Sequence, residues 1–147
     1  MTEVALETLR LARRFGAPPE RVFDAWLNPT LAARWLFTTP ESESHTTELD
    51  VRVGGRWKIV DRREGVDYTA LGEYRMIDRP RRLVFTFGMP QFSPEFAEVT
   101  VEFAPDAGGC LMTLSQDRVA AEAIGPLTAG WSAMFDALAG LGEGASG

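Results

Sequence analysis

The spacing of apolar residues changes as the chain runs, from a period of two in its middle to a helical period near its end. In Pro126 to Leu141 the large apolar residues are Leu127, Trp131, Met134, Phe135, Leu138 and Leu141. They recur mainly at steps of three and four, which predicts a helix with one broad apolar stripe. Pro126 suits its first turn, and Gly142 and Gly144 suit a stop. The back of this helix is small, with Ala, Ser, Thr, Gly and one Asp. A stripe this broad needs a large apolar surface to lie on, and the residues between Thr46 and Gln116 read as the strands that supply it.

Residues 4–15 alternate loosely and predict a first strand. Ala17, Pro18 and Pro19 break it and open a helix whose Val22, Phe23 and Trp26 share a face. Asn28 is placed to cap a second short helix beginning at Pro29, with Leu31 and Trp35 four apart. Residues 38–45 are polar and read as a loop, after which a strand runs from about Thr46 to Val51 into the Gly54 and Gly55 turn. From Arg56 the alternation puts Trp57 and Ile59 on one face, and Arg62 to Asp67 reads as a charged turn. Tyr68 to Ile77 is the next strand, with Gly72 marking a bulge or a place of close approach. Leu83, Phe85 and Phe87 share a face, then Ala97, Val99, Val101 and Phe103, then Cys110, Met112, Leu114 and Gln116. Asp117 to Gly125 reads as a linker or a partly helical lead into the last helix.

The predicted order is strand, two short helices, about six antiparallel strands and a long helix, an α+β arrangement. An antiparallel sheet with one apolar face must curl and be covered. The C-terminal helix is the element long enough to fill the concavity. The expectation is a helix-grip fold: a curved antiparallel sheet around a long C-terminal helix, as one domain over residues 1–142 with a flexible tail at 143–147.

Composition narrows the function. A length of 147 residues fits one domain with a core able to fold unaided. The formal net charge of −6 argues against nucleic acid as a partner, since non-specific binding there relies on a basic field. No apolar run approaches the roughly 20 residues that cross a membrane. The N-terminus lacks a basic-then-apolar signal pattern, so the expected location is the cytoplasm. Cys110 is the only cysteine and His45 the only histidine, which argues against an internal disulfide and against cysteine- or histidine-based metal sites. Nothing points to a cofactor.

Four ordered stretches then resemble a known family. The run from Phe15 through Pro18, Pro19, Glu20, Arg21, Val22 and Phe23 to Trp26, followed by Asn28, Pro29, Arg34 and Trp35, resembles the opening of the SRPBCC (START and birch-pollen-allergen-like) superfamily. Within it, the closest branch is the homologues of the activator of the heat-shock protein-90 ATPase. Asp50 to Trp57 resembles that branch's glycine turn, and Gly72 to Tyr74 with Asp78 to Thr86 its next hairpin. Ala129, Gly130, Trp131 and Leu138 resemble its terminal helix. The resemblance implies a cavity between sheet and helix that in relatives holds lipids, polyketides, hormones or other apolar molecules. Where many members carry a histidine near the end of the last strand, this chain has Gln116, and an acid–base role of that histidine does not transfer.

Trp57, Phe85, Met112, Trp131 and Phe135 are the expected cavity wall, aromatics and a methionine being able to form an adaptable apolar site. The alternative is that they simply pack as core. Tyr68, Tyr74 and Gln116 are on strand faces that can point inward and orient a ligand by hydrogen bonds, or they bond backbone or water at the rim. His45 lies among polar loop residues and reads as solvent-exposed rather than catalytic. Glu98 and Glu102 lie opposite the apolar face, Cys110 reads as a small buried residue, and Arg52 and Arg56 flank a turn. No catalytic residue is assigned. The leading expectation is a bacterial-type cytoplasmic protein, monomer or homodimer, that binds a small hydrophobic or amphipathic molecule between sheet and helix. The alternatives are a chaperone-interacting module and a polyketide cyclase- or dehydratase-like enzyme using the same cavity.

Overall fold

The computed structural model describes residues 6–39 and 41–145, with side chains to Leu141. Val4 and Ala5 of the expected first strand, Pro40 of the loop, and Ser146 and Gly147 at the end lie outside the described residues. Strand β1 (Leu6–Phe15) leads into helices α1 (Pro19–Leu27) and α2 (Pro29–Ala32). Strands β2 (Ser44–Leu49), β3 (Arg56–Arg63), β4 (Val66–Asp78), β5 (Arg82–Phe87), β6 (Ala97–Asp106) and β7 (Gly109–Ala120) follow, and helix α3 (Ile124–Ala145) ends the chain. The seven strands form one antiparallel sheet in the order β1-β7-β6-β5-β4-β3-β2. The sheet curves around α3, as the one-sided alternation requires.

Local chemistry accounts for the helix starts. Pro19 occupies the first turn of α1, where its missing N–H has no partner to lose. The Asn28 side chain accepts from the backbone N–H groups of Thr30 and Leu31, which caps α2 as its sequence position predicts. Val22, Phe23 and Trp26 of α1 are buried, as are Trp35 and Leu36 just beyond α2.

Several boundaries differ from the sequence expectation; the charged turn at Arg62 to Asp67, for one, narrows to Glu64 and Gly65 between β3 and β4. β2 begins at Ser44, so Ser44 and His45 belong to a strand, not a loop; they pair with Arg62 and Asp61 of β3. A polar edge strand carries no apolar alternation to announce itself, and such polarity protects an edge from pairing with other chains. β7 runs past Gln116 to Ala120. Its register against β1 shifts between Glu7 and Leu9, and Arg118 takes a left-handed φ of 54°. That bulge spaces the buried residues Gln116 and Val119 by three, which hides the strand from a period-two reading. α3 starts at Ile124 and passes through Gly142 and Gly144 to Ala145. Glycine weakens a helix by about 1 kcal/mol without having to end it.

The sheet's concave face and α3 share one aromatic core. Trp131, Phe135 and Leu138 of α3 are buried. Trp26 is the hub beneath them, with ring centroids 4.7 Å from Trp35, 5.8 Å from Phe85, 6.1 Å from Trp131 and 6.4 Å from Phe135. Gly72 on β4 is a place of close approach. The Trp57 indole on β3 crosses it and donates from Nε1 to the Thr86 carbonyl on β5 at 3.0 Å. A Cβ at position 72 would lie 1.7 Å from that carbonyl oxygen and 2.7 Å from the indole nitrogen.

Three stability outcomes follow from this packing. Gly72→Ala should cost at least about 2 kcal/mol in chemical denaturation, because its nearest obstruction is backbone. Gly140→Ala, whose Cβ on α3 meets nothing within 4 Å, should add about 0.5–1 kcal/mol. Phe135→Ala should cost about 3–5 kcal/mol, since a fully buried ring leaves a cavity. A Phe135→Ala loss under 1 kcal/mol would contradict the close packing described.

Candidate ligand-binding site

α3 is held against the sheet at one side. The Trp131 indole donates from Nε1 to Gln116 Oε1 on β7 at 2.9 Å, a buried bond. Further out, Arg13 on β1 meets Asp136 at 2.6 Å. The helix therefore turns Trp131, Phe135 and Leu138 down onto the sheet and leaves Gly130, Ala133 and Ala137 exposed along its flank. Beside that flank lies a cleft of about 810 Å³. Its helix wall is Leu127, Gly130, Trp131, Ala133, Met134, Asp136 and Ala137. The sheet supplies Asp61 and Arg63 from β3, Tyr68 and Ala70 from β4, Phe87 from the end of β5 and Met89 just beyond it. Arg34, Phe37, Thr38 and Thr39, following α2, close the remaining side.

Phe37 is the pivot of this wall, and no periodicity in the sequence marks it. It has a left-handed φ of 51°, uncommon for a bulky residue. Its ring is nearly parallel to Trp57 at 5.5 Å and stacks on Phe87 at 4.9 Å, and its edge meets Trp131 at 5.5 Å. Its backbone N–H points at the Met134 sulfur, 3.0 Å away. These contacts hold a backbone conformation that would otherwise be unfavourable. Phe37 also lines a second, inner gap of about 10 Å³, with Trp26, Leu36, Leu49, Trp57, Tyr74, Leu83 and Phe85. That volume holds no more than about one water.

The residues singled out from the sequence therefore fall into three groups. Tyr68 and Trp131 line the cleft. Trp57, Tyr74 and Phe85 line the inner gap, and burial, with Asp50 nearby, raises the Tyr74 hydroxyl above its ordinary range. Met112, Gln116 and Phe135 line neither and are buried in the packed core.

Asp61 was overlooked by the sequence reading, although it shares parity with Trp57 and Ile59 on β3. It is 1% exposed and lines the cleft. Arg63 Nε stands 2.8 Å from Asp61 Oδ2. The Arg63 guanidinium also lies over the Tyr68 ring, 4.2 Å from its centre, and Phe92 stacks on the same ring at 6.1 Å.

Other polar groups have local duties. His45 is half-buried on β2, with Nε2 3.1 Å from the Leu36 carbonyl and Nδ1 3.1 Å from the Thr47 hydroxyl. Arg52 pairs with Asp50 inside its own turn at 2.9 Å, and Glu98 and Glu102 are exposed on the outer face. Cys110 is buried, and loss of hydration raises its thiol pKa. Among the described residues no three His, Cys, Asp or Glu side chains gather as a metal-ligand set, and no helix is long and apolar enough to cross a membrane.

Solved structures share this architecture over nearly the whole chain. A protein from Chromobacterium violaceum is 28% identical, with a TM-score of 0.79 over 91% of this chain and 95% of that one. A protein from Staphylococcus aureus is 24% identical, with a TM-score of 0.85 over 98% of each chain. An AHSA1-like protein from Aeromonas hydrophila is 22% identical, with a TM-score of 0.82 over 95% of this chain and 94% of that one. A search of curated proteins finds no match. The profile of the family described as Activator of Hsp90 ATPase homolog 1-like protein matches residues 16–143, and the chain belongs to that family, within the SRPBCC superfamily.

Proposed function

We propose that the protein binds a small hydrophobic or amphipathic molecule in the cleft between α3, the β3–β5 side of the sheet and the segment after α2. The observation that carries this reading is the cleft itself. Its volume of about 810 Å³ falls inside the roughly 300–1,000 Å³ usual for small-molecule sites. Its walls are mostly apolar, with a few polar groups at defined points, the composition expected where burial drives binding and polar groups orient the ligand. Of the side chains proposed from the sequence, Tyr68 and Trp131 are the direct contacts. Trp57, Tyr74, Phe85, Met112, Gln116 and Phe135 act behind them by setting the shape of the floor.

The family's description names a chaperone ATPase activator, so a chaperone partner is the rival reading. The exposed large apolar side chains give it little support. Leu6, Val51, Val53, Val66, Met76 and Phe92 come from β1, β4, the β2–β3 turn and the β5–β6 loop, and exposed apolar residues in such numbers are normal on a folded protein. The enzymatic reading gains nothing from His45, which does not line the cleft and whose ring nitrogens face the Leu36 carbonyl and the Thr47 hydroxyl.

Saturable binding of polycyclic or long-chain apolar compounds tests the proposal. At a ligand concentration a hundredfold above Kd, the gain of about 2.7 kcal/mol should raise Tm by roughly 5–10 °C. Ala133→Trp, placed on the exposed helix wall, should weaken that binding at least tenfold and leave the unliganded Tm nearly unchanged. A broad apolar library that gives no saturable shift, together with tight binding of a purified chaperone, would replace this reading with the rival one.

A further inference from the structure

We infer that Asp61, with Arg63 beside it, recognises a hydroxyl group, so that the cleft selects uncharged, largely apolar molecules bearing an alcohol or phenol. The inference rests on the ligand-binding reading above and adds the chemistry of the ligand's polar end.

Asp61 and Gln116 are the buried polar side chains of the described fold. Gln116 is engaged by Trp131. Asp61 is different. Neither of its carboxylate oxygens accepts a hydrogen bond from the protein, and both are sealed from solvent. Arg63 Nε is close to Oδ2, at 2.8 Å, but it lacks hydrogen-bond alignment, and that N–H is itself buried without an acceptor. Leaving charged groups in this state is costly, so a buried carboxylate without hydrogen bonds calls for a partner.

The neighbouring chain does not offer that partner. The ladder sets Asp61 between His45 of β2 and Tyr68 of β4. The His45 ring nitrogens face the Leu36 carbonyl and the Thr47 hydroxyl. The Tyr68 ring holds the Arg63 guanidinium against its face. Two buried acceptor oxygens therefore stand next to one buried donor, on two residues that line the 810 Å³ cleft, and a ligand group reaches them once the partly exposed Arg63 side chain swings aside. A group that donates and accepts at the same point complements them, and a hydroxyl does both. Charge points the same way. The Asp61–Arg63 pair is neutral as a unit, so a charged ligand end gains little net attraction from it to offset the cost of leaving water. Asp136 at the cleft's mouth is already met by Arg13. The apolar remainder of the ligand has Ala70, Phe87, Met89 and Trp131 to lie on.

The test uses the full chain and a matched fluorescent series: pyrene, 1-hydroxypyrene, 1-methoxypyrene, 1-pyrenecarboxylate and 1-pyrenemethylammonium, with anisotropy as the readout. 1-Hydroxypyrene should bind at least tenfold more tightly than the methoxy compound and than either ion. Asp61→Asn and Asp61→Val should reduce its affinity to that of 1-methoxypyrene and leave the affinity for pyrene unchanged. Their Tm should equal or exceed that of the parent, because Arg63 is 34% exposed and can turn to water once the carboxylate is gone. Equal affinity across a series that does bind overturns the hydroxyl assignment and leaves the ligand cleft standing. Binding of no member overturns the cleft reading and this inference with it. A hydroxyl preference that survives both substitutions, with Tm lowered by more than about 5 °C, makes Asp61 a structural partner of Arg63 and overturns the inference.

Discussion

The buried hydrogen bond from Trp131 to Gln116 fixes how α3 sits in the sheet, and the cleft depends on that setting. An indole N–H taken out of water without an acceptor costs about 1–3 kcal/mol. Gln116 Oε1 accepts it at 2.9 Å, so the ring has one favoured direction. The exposed Arg13–Asp136 pair adds little to this, since Asp136 is 70% exposed and the charge is screened. With Trp131 directed at β7, the spacing of the helix carries Phe135 and Leu138 onto the sheet. Gly130, Ala133 and Ala137 are then turned to the flank. Those small side chains are why there is open volume beside the helix rather than another packed layer.

Much of this was legible in the sequence because burial imposes periodicity. The stripe of α3, the inward residues of β3 and β5–β7, the Asn28 cap and the close approach at Gly72 all leave a pattern that elementary sterics explains. The family motifs point to the same fold. The failures share a cause: residues whose position is set by a break in the pattern. Phe37 sits in an irregular segment at positive φ, and neither period can announce it. The end of β7, beyond Gln116, is concealed by its own bulge at Arg118. The small back of α3 was visible, but smallness alone does not distinguish a solvated face from the wall of a cleft.

Asp61 is the more instructive miss. Its neighbours Arg62, Arg63 and Glu64 make the stretch look like a solvated turn. The parity of Trp57, Ile59 and Asp61 says otherwise, because three alternate residues of one strand share a face. Counting parity through the charged residues, rather than stopping at the first of them, would have placed a carboxylate indoors. The same alternation that identifies a core therefore also identifies the residue that violates it.

That violation bears on how the protein divides stability from function. The aromatic core around Trp26 is continuous, with Phe85, Trp131 and Phe135 packed on it, and the gap beneath Phe37 is only about 10 Å³. Nothing in that core requires a charge on β3, and an apolar side chain at position 61 would continue the pattern begun by Trp57 and Ile59. A buried ion pair is seldom the most stabilising choice, because desolvation offsets most of its attraction. Functional sites are where a chain retains such unfavourable groups, and the rest of the fold must over-determine the structure to tolerate them. Here the tolerance comes from the opposite side of the molecule, where α3 is locked to β7 and β1. The cleft side is left with small helix residues, an unsatisfied carboxylate and a strained phenylalanine, and these are the features on which the ligand-binding proposal rests.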